Sequence, residues 1–304
     1  MNEPQSAIAP PAIILDPLLR QWLAEDIGRG DRTTGSLLAG EALWGTAHWT
    51  AKAPGVVAGV PVAARVFQLL SDRVRVKPTA AEGETCDRSK VILQLEGPLD
   101  ALLTGERVAL NLAMRLSGIA TLTRQYVDAI ADLPAQLVDT RKTTPGLRLL
   151  EKYAIQVGGA KNHRMGLDDA VMIKDNHILA AGGIEKAIAK VRATMPYPLT
   201  VEVETETLEQ VRTALDAGAD IIMLDNMSPE MMREAIAIIR EYNPRIQIEA
   251  SGNITLETIR TVAETGVDYI STSAPITRSP WLDISMSLGA GELGIDDPSK
   301  IRTV

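Results

Sequence analysis

Beyond residue 135 the chain alternates short runs rich in Val, Ile and Leu with longer helical segments, and this alternation limits the folds open to it. Successive runs begin 34, 29, 22, 25 and 23 residues apart, spacings that fit βα units in a parallel sheet or barrel. The runs are Gln136–Asp139, Ala170–Ile173, Leu199–Val203, Ile221–Leu224, Ile246–Glu249 and Tyr269–Ser271. The pattern predicts an α/β fold with six parallel strands, fewer than the eight of a standard barrel.

The part of the chain from about residue 13 to residue 115 has a different, mixed pattern. A helix is predicted over Asp16–Asp26, and alternating apolar and polar residues predict strands over Trp44–Ala51 and Val91–Glu96. Gly- and Pro-containing turns separate these segments. This pattern indicates an N-terminal α+β domain, and we interpret residues 1–12 as a loose leader.

Charge and composition exclude several classes of partner. Lys and Arg number 31 against 39 Asp and Glu, which gives a net charge of −8, and the 10 aromatic residues are scattered. Both features disfavour a nucleic-acid or anionic-membrane surface. The longest stretches without a charge have 12 residues, whereas a membrane span needs about 20. A single cysteine, Cys86, excludes an intrachain disulfide and suits a reducing compartment, so we expect a cytoplasmic protein.

Polar residues cluster where the predicted strands end. In a parallel βα arrangement the carboxyl ends of the strands lie at one edge, which is where active sites form. Cations come first along the chain, carboxylates next and small polar loops last. In that order the residues are Arg141, Lys142, Thr143, His163, Arg164, Lys174, Glu204, Asp225, Ser251, Gly252, Asn253, Thr272 and Ser273.

The cationic part of this cluster predicts a small polyanionic ligand. Arg binds carboxylate or phosphate groups in a two-pronged fashion and Lys adds a mobile point charge. Several cationic groups converging in a chain of net charge −8 favour a substrate with several carboxylates or phosphates. His163 has three interpretations that the residues alone leave open: an acid, a donor to the substrate or a core histidine with its partners inside the protein.

The acidic and small polar residues of the cluster suggest a metal and a phosphate. Glu204 and Asp225 follow neighbouring strands, and two carboxylates beside a phosphate site commonly hold Mg²⁺. Their alternative is a purely structural role. The loops Ser251–Asn253 and Thr272–Ser273 end the last two strands, where barrel proteins often bind phosphate through backbone N–H groups.

Several longer segments, taken together, resemble one known family. They are Glu106–Arg107 with Leu110–Leu112, Arg115–Thr121, Asp139–Gly146, Lys161–Arg164, Ile173–His177, Val201–Glu204, Leu224–Asn226, Glu249–Gly252 and Leu282–Ser285. Their joint occurrence closely resembles the quinolinate phosphoribosyltransferase family, also called nicotinate-nucleotide pyrophosphorylase (carboxylating). The resemblance covers nearly everything after residue 13.

The resemblance implies a reaction, a cofactor and a domain organisation. The family joins quinolinate to 5-phosphoribosyl-1-pyrophosphate with Mg²⁺, giving nicotinate mononucleotide, pyrophosphate and CO₂ in NAD synthesis. Its fold pairs an open-sandwich α+β domain with an incomplete (open) α/β barrel. For this chain it implies an N-terminal domain over residues 13–117, joined by the returning residues from about 275 to 304, and a barrel over residues 118–274. The family forms a homodimer or a hexamer.

The family's site residues carry over position by position. Lys142, Glu204 and Asp225 become catalytic, with Glu204 and Asp225 also facing the ribose and its metal. The quinolinate carboxylates are surrounded by Arg107, Arg141, His163, Arg164 and Lys174. Lys142 and Lys174 lie near the pyrophosphate, and the resemblance implies that Arg107 serves the site of a partner subunit. The remaining substrate-binding residues are Thr143, Ser251, Gly252, Asn253, Thr272 and Ser273.

One departure and two alternatives accompany the resemblance. The last phosphate loop reads Thr272-Ser273-Ala274-Pro275, where a glycine-containing turn is expected. A paralogous transferase of the ModD type, linked to molybdenum transport, would use another acceptor and would lose the carboxylate-binding arginines, which this chain retains. A non-catalytic module that senses phosphorylated metabolites would turn over no substrate.

Overall fold

A computed structural model of the chain describes residues 7–289 and the backbone of residues 294–295. They divide into two compact units: the described residues up to Thr121 with those from Ser279 onward, and Leu122–Arg278. Residues 1–6 of the predicted leader lie outside the described part, and residues 7–11 belong to no helix or strand. Along the described residues no helix combines the length and the apolar character that crossing a membrane requires.

The helices and strands are numbered in chain order. The helices are α1 (Ala12–Ile27), α2 (Arg32–Leu38), α3 (Val60–Leu70), α4 (Leu99–Asp128), α5 (Arg148–Val157), α6 (Asp175–Ala181), α7 (Ile184–Thr194), α8 (Leu208–Asp216), α9 (Pro229–Tyr242), α10 (Ile259–Ala263) and α11 (Ala274–Thr277). The strands are β1 (Leu43–Ala51), β2 (Gly55–Val56), β3 (Arg75–Pro78), β4 (Thr85–Cys86), β5 (Val91–Pro98), β6 (Gln136–Val138), β7 (Val171–Ile173), β8 (Val201–Thr205), β9 (Ile221–Asp225), β10 (Gln247–Ser251), β11 (Tyr269–Ser271), β12 (Ile284–Leu288) and β13 (Gly294–Ile295).

The first unit is built on an antiparallel sheet in the order β12-β1-β5-β3, with β13 also pairing with β1. Both strands predicted here from alternating residues are confirmed, with β1 starting one residue earlier and β5 running two residues further. Trp49 on β1 is fully buried and meets Phe67 of α3 edge to face, with ring centroids 6.2 Å apart. The sheet therefore has one face on an apolar core, as its alternating pattern requires.

Helix α1 begins four residues before the predicted start at Asp16. The helix starts at Ala12, and the carbonyl of Pro11 accepts the N–H groups of Ile14 and Leu15. Its buried stripe consists of Leu15, Leu19 and Leu23, four residues apart. Burial of this stripe stabilises the helix from its first turn onward.

The chain returns to the first unit after the second. Strand β12 pairs antiparallel with β1, and Leu282 N–H donates to the carbonyl of Met114 in α4 at 3.0 Å. Close to this contact, a Cβ added to Gly118 would lie 2.0 Å from the carbonyl oxygen of Pro280. A glycine is therefore required where α4 meets the returning segment.

The second unit contains a six-stranded sheet in the order β6-β11-β10-β9-β8-β7, with every pairing parallel. Among the described residues no ladder joins β6 to β7, so the sheet is open and the predicted incomplete α/β barrel is confirmed. The predicted runs match all six strands. Four of their carboxyl ends were wrong: β8 and β10 each extend two residues further, β9 extends one residue further, to Asp225, and β6 ends one residue earlier, at Val138.

The final residues of β8 and β10, Thr205 and Ser251, are polar but paired. Thr205 Oγ1 donates to the carbonyl of Met223 at 2.9 Å, and Ser251 lies opposite Asp225 in the β10–β9 register. Polar groups that find partners in the ladder cost little to bury. The sheet consequently carries polar and charged side chains to its carboxyl edge.

The Gly118 contact leads to the first prediction. Gly118→Ala will lower the melting temperature, because relieving the overlap with Pro280 requires backbone movement and overpacking typically costs about 1–3 kcal/mol. Thermal denaturation measures the effect. Gly35→Ala on α2 is the control: a Cβ there meets nothing within 4 Å, and alanine favours helix over glycine. Equal melting temperatures for the two variants would contradict the close approach.

Candidate functional site

A buried carboxylate on α5 holds the cationic loop that follows β6. Glu151 on α5 has no exposed surface, and its oxygens accept from Thr144 N–H at 2.8 Å and Thr144 Oγ1 at 2.9 Å. Thr143 N–H donates to the carbonyl of Arg141, and Arg148 Nε donates to Thr143 Oγ1, both at 3.0 Å. The loop that presents the predicted cations is therefore tied to α5.

The next residue of α5, Lys152, is also fully buried and pairs with Asp139 directly after β6. Lys152 Nζ lies 2.5 Å from Asp139 Oδ1 and also donates to the carbonyl of His163 at 2.9 Å. His163 N–H donates to Asp139 Oδ1 at 2.8 Å. Burial raises the pKa of Asp139 to about 6, although the charge and hydrogen bond of Lys152 oppose this rise. Burial likewise lowers the pKa of Lys152.

Both ring nitrogens of His163 have partners inside the protein. Nδ1 accepts the backbone N–H of Arg164 at 2.7 Å. Nε2 lies 3.2 Å from Glu202 Oε2 on β8 and 3.3 Å from Glu249 Oε2 on β10. Both glutamates are buried, and the Oε1 atom of each has no hydrogen-bond partner among the described residues. His163 therefore lies behind the cationic loop, between the strands.

Charge decides the protonation of this cluster. Burial lowers the pKa of His163, but hydrogen bonds and charges of Glu202 and Glu249 together raise it to about 10. Burial also raises the pKa of Glu202. The raised pKa means that the cluster holds one proton more than a neutral imidazole with two ionised carboxylates. The N–H of Arg164 requires a lone pair on Nδ1, so the ring carries one proton, on Nε2, and the additional proton lies on the buried glutamates. A protonated Nε2 has no lone pair for a metal ion, although the three side chains are close enough to share one.

Arg141 and Arg164 form the centre of the cationic cluster. Burial lowers the pKa of Arg164, the charge of Arg141 lowers it further, and the charge of Glu202 opposes both. Arg164 Nη1 donates to the carbonyl of Ala170 at 2.9 Å. Arg141 Nε is buried and has no partner among the described residues. Two guanidinium groups that repel each other, one with an unsatisfied donor, favour an anionic ligand.

The carboxylates at the ends of β8 and β9 form the acidic part of the site. Lys174 Nζ donates to Glu204 Oε2 at 2.7 Å, and Lys174 is about half exposed. Asn226 Nδ2 donates to Asp225 Oδ2 at 2.7 Å. Glu204 and Asp225 supply only oxygen ligands, the donor type that Mg²⁺ prefers.

The loops after β9 and β10 interlock through a residue that must be glycine. Gly252 has φ +99°, and a Cβ there would lie 2.2 Å from Asn226 Oδ1. Asn253 Nδ2 donates to the same oxygen at 3.1 Å, and both asparagines have φ near +53°. Ser251 contributes its carbonyl, which accepts from Asn226 N–H. The predicted phosphate loop is therefore tightly folded against the Asp225 loop.

The loop after β11 differs from a glycine-containing turn. Thr272 is buried, with its hydroxyl donating to the carbonyl of Ile254 at 3.3 Å and accepting from Ala274 N–H at 3.2 Å. Ser273 is half-buried and precedes α11, the short helix that replaces the turn. The Thr272 hydroxyl is thus engaged within the protein.

Two predicted cations stand apart from these networks. Arg107 lies on α4 in the first unit; its side chain is 60% exposed and lies 4.0 Å from Glu106. Lys142 is exposed, and within the described residues no carboxylate pairs with it. All the other predicted site residues lie in the second unit, at or beside the carboxyl ends of its strands.

Sequence reasoning missed the buried charges that hold the site together. They are Asp139, Glu151, Lys152, Glu202 and Glu249. A usable signal existed for the two strand residues, because a charge inside an apolar run must find a buried partner. No such signal exists for Glu151 and Lys152, since adjacent charges on a helix usually mark its exposed face.

Models of one known protein family match residues in both units of the chain. The model of the quinolinate phosphoribosyl transferase N-terminal domain matches residues 31–117. The model of the C-terminal domain of the same family matches residues 119–287. Together the two models account for most of the chain.

Relatives with this organisation span nearly the whole chain. The chain is 60% identical to a probable nicotinate-nucleotide pyrophosphorylase (carboxylating) of Synechocystis, over 92% of this chain and 94% of that protein. It is 38% identical to the human nicotinate-nucleotide pyrophosphorylase (carboxylating), over 94% and 96%. Among solved structures, NadC from Streptococcus pyogenes matches with a TM-score of 0.88 and 41% identity, over 93% and 99%.

The buried ion pair under the site leads to the second prediction. Lys152→Met will leave Asp139 buried without its cation, and breaking such a pair typically costs about 3–5 kcal/mol of unfolding free energy. Denaturant unfolding measures the change. Lys190→Met, on the exposed face of α7, is the matched control and should stay within about 0.5 kcal/mol of the wild type. Unchanged stability of Lys152→Met would show that the pair is not a buried ion pair.

Proposed function

The chain belongs to the quinolinate phosphoribosyltransferase family, and we propose that the carboxyl edge of its second-unit sheet carries out the family's reaction. The enzyme transfers the phosphoribosyl group of 5-phosphoribosyl-1-pyrophosphate to quinolinate with decarboxylation, giving nicotinate mononucleotide, pyrophosphate and CO₂ in NAD synthesis. The observation that carries the assignment of the site is the pair of mutually repelling guanidinium groups, Arg141 and Arg164, of which Arg141 has an unsatisfied buried Nε.

The acceptor is a dicarboxylate, and its charges match this cluster. Arg141 and Arg164 bind its two carboxylates, because planar guanidinium groups recognise carboxylates through paired N–H donors. Lys174 adds a third cation, and it leaves or shares its hydrogen bond with Glu204 when an anion enters. Binding therefore replaces the repulsion between the two arginines with attraction to the ligand.

The phosphoribosyl donor occupies the neighbouring loops. Lys142, whose exposed side chain has no carboxylate partner among the described residues, and Thr143 face its pyrophosphate. The folded Ser251–Asn253 loop binds the 5-phosphate through backbone N–H groups, and the Thr272–Ser273 loop assists through its backbone, since the Thr272 hydroxyl is engaged elsewhere.

Glu204 and Asp225 are the residues that would hold Mg²⁺. They fit because they end adjacent strands and offer only carboxylate oxygens. When bound, the metal supplies neutralisation of the pyrophosphate charge. The two carboxylates also face the ribose, where their negative charge favours the positive charge that develops on it.

The chemistry follows from charge. Departure of pyrophosphate makes the ribose carbon resemble an oxocarbenium ion, which the fixed charges of Glu204 and Asp225 stabilise, and the pyridine nitrogen then attacks that carbon. The new pyridinium nitrogen adjoins the carbon that bears the 2-carboxylate. It stabilises the carbanion left when CO₂ departs, so no separate electron-sink cofactor is needed. A proton from solvent then adds to that carbon and forms the C–H bond of nicotinate mononucleotide. Positioning of two polyanions supplies much of the rate.

We further propose a cytoplasmic homodimer, or a hexamer built of such dimers, in which Arg107 completes the site of the partner subunit. Two features support this: Arg107 is exposed on α4, where Glu106 lies no nearer than 4.0 Å, and the family resemblance places it near the acceptor. A cytoplasmic location accords with the single cysteine, Cys86, which is buried and free.

The charge of the cluster leads to the third prediction. Purified protein will convert quinolinate at a kcat/KM at least about a hundredfold above that for nicotinate, because one carboxylate leaves cations of the site unpaired. Product formation from each acid, followed with 5-phosphoribosyl-1-pyrophosphate and Mg²⁺, measures the ratio. Equal kcat/KM for the two acids would refute the assignment of the acceptor.

The partner-subunit role of Arg107 leads to the fourth prediction. Arg107→Ala and Lys142→Ala will each be nearly inactive, but mixing and reassociating them will restore about a quarter of wild-type activity. Random pairing makes about half of the dimers mixed, and each mixed dimer has one intact and one doubly altered site. Activity assays with subunit exchange checked by mass spectrometry measure the recovery. Full exchange without recovery would place Arg107 in the site of its own subunit.

A further inference from the structure

We propose that His163 is a positioning residue, which fixes Arg164 for the acceptor and does not contact the acceptor itself. The proposal rests on the proposed function, because it specifies which member of the His163–Arg164 pair binds quinolinate. It starts from the observation that each polar atom of His163 has a partner within the second unit.

The backbone of His163 is held on both sides by the buried ion pair. Asp139 accepts its N–H at 2.8 Å, and Lys152 Nζ donates to its carbonyl at 2.9 Å. Both bonds are charge-assisted and are made by the buried side chains of Asp139 and Lys152, so they are stronger than ordinary backbone hydrogen bonds. The carbonyl of His163 belongs to the peptide bond that leads into Arg164. Holding this carbonyl in place therefore also holds the Cα of Arg164, from which its side chain extends.

The ring of His163 also holds the peptide unit between His163 and Arg164 in place. Its Nδ1 accepts the N–H of Arg164, the other end of that peptide unit, at 2.7 Å. Its Nε2 faces Glu202 and Glu249, so the ring has neither a free N–H nor a free lone pair for a ligand carboxylate. The two carboxylates would also repel an anion that approached Nε2.

These contacts orient Arg164. Its Nη1 is held by the carbonyl of Ala170 at 2.9 Å, which constrains the guanidinium group at its far end. Positioned groups of this kind gain affinity because little side-chain freedom is lost on binding. His163 thus acts on the acceptor through Arg164.

Two substitutions separate the two ring nitrogens. In His163→Asn the side-chain oxygen occupies the place of Nδ1 and can accept the Arg164 N–H, whereas in His163→Gln the terminal group reaches the place of Nε2. Calorimetry of quinolinate binding should give a Kd for His163→Asn within about threefold of wild type and a Kd for His163→Gln at least about tenfold weaker. The reverse order would mean that Nε2 contacts the acceptor, and it would overturn the proposal.

A double-mutant cycle provides a readout that a merely structural role would not move. His163→Ala should weaken quinolinate binding by about tenfold in the wild-type background and by less than about twofold when Arg164 is already alanine. An undiminished effect of His163→Ala in the Arg164→Ala background would show that His163 binds the acceptor directly. Melting temperatures of the four proteins identify any variant whose loss of binding reflects unfolding.

A measurement on the wild-type protein keeps the proposal testable if the variants do not fold. The chain has three histidines, so ¹⁵N spectra of the ring nitrogens can be assigned by comparison with His48→Gln and His177→Gln. The free protein at neutral pH should show an unprotonated Nδ1 and a protonated Nε2 for His163, and neither signal should change type with saturating quinolinate. A protonated Nδ1, or a change of tautomer on binding, would overturn the proposal. The spectrum of the free protein needs no ligand, so it tests the role of His163 even if quinolinate fails to bind. Failure of quinolinate to bind would instead count against the proposed function.

Discussion

A lysine and an aspartate without exposed surface face each other at the end of β6, and the cationic site is assembled on that pair. Lys152 and Asp139 lie 2.5 Å apart, and each also binds the backbone of His163. Moving two charges out of water costs several kcal/mol per ion, which their attraction offsets only with good geometry and further hydrogen bonds. The pair is therefore poor as a source of stability but effective at fixing where chain segments lie. Its neighbour Glu151 does the same for the Arg141–Thr144 loop.

This arrangement explains how cations can be kept close together before a ligand arrives. The buried carboxylates Asp139 and Glu151 contact the backbone and polar groups that carry the cationic side chains. They leave Arg141 Nε without a hydrogen-bond partner among the described residues. Lys174 is the exception, since it pairs with Glu204. In the proposed reaction, an entering dianion satisfies Arg141 at once but must compete with Glu204 for Lys174. We propose that the same exchange frees Glu204 for its role at the ribose.

Much of the fold and of the site could be predicted from the sequence. There are physical reasons why the remaining parts could not be predicted. The regular spacing of apolar runs predicted six parallel strands in an open arrangement, and strand-end motifs indicated the family that the comparisons confirm. Periodicity describes where apolar surface is buried, so it placed β8 and β10 short of their polar final residues, which pair in the ladder. Periodicity also gives no information about which residues, distant in sequence, contact one another. Nothing local shows that Lys152 lies under Asp139, or that Glu202 and Glu249 converge on His163.

The most direct test of this account is a crystal structure of the protein with quinolinate bound. The account predicts that the two carboxylates lie on Arg141 and Arg164, that the Lys174 ammonium group turns from Glu204 towards the ligand, and that the contacts of His163 with Arg164 N–H, Glu202 and Glu249 are retained. A ligand carboxylate within hydrogen-bond distance of either ring nitrogen of His163, with the glutamates displaced, would contradict the claim that buried charges position the site without joining it.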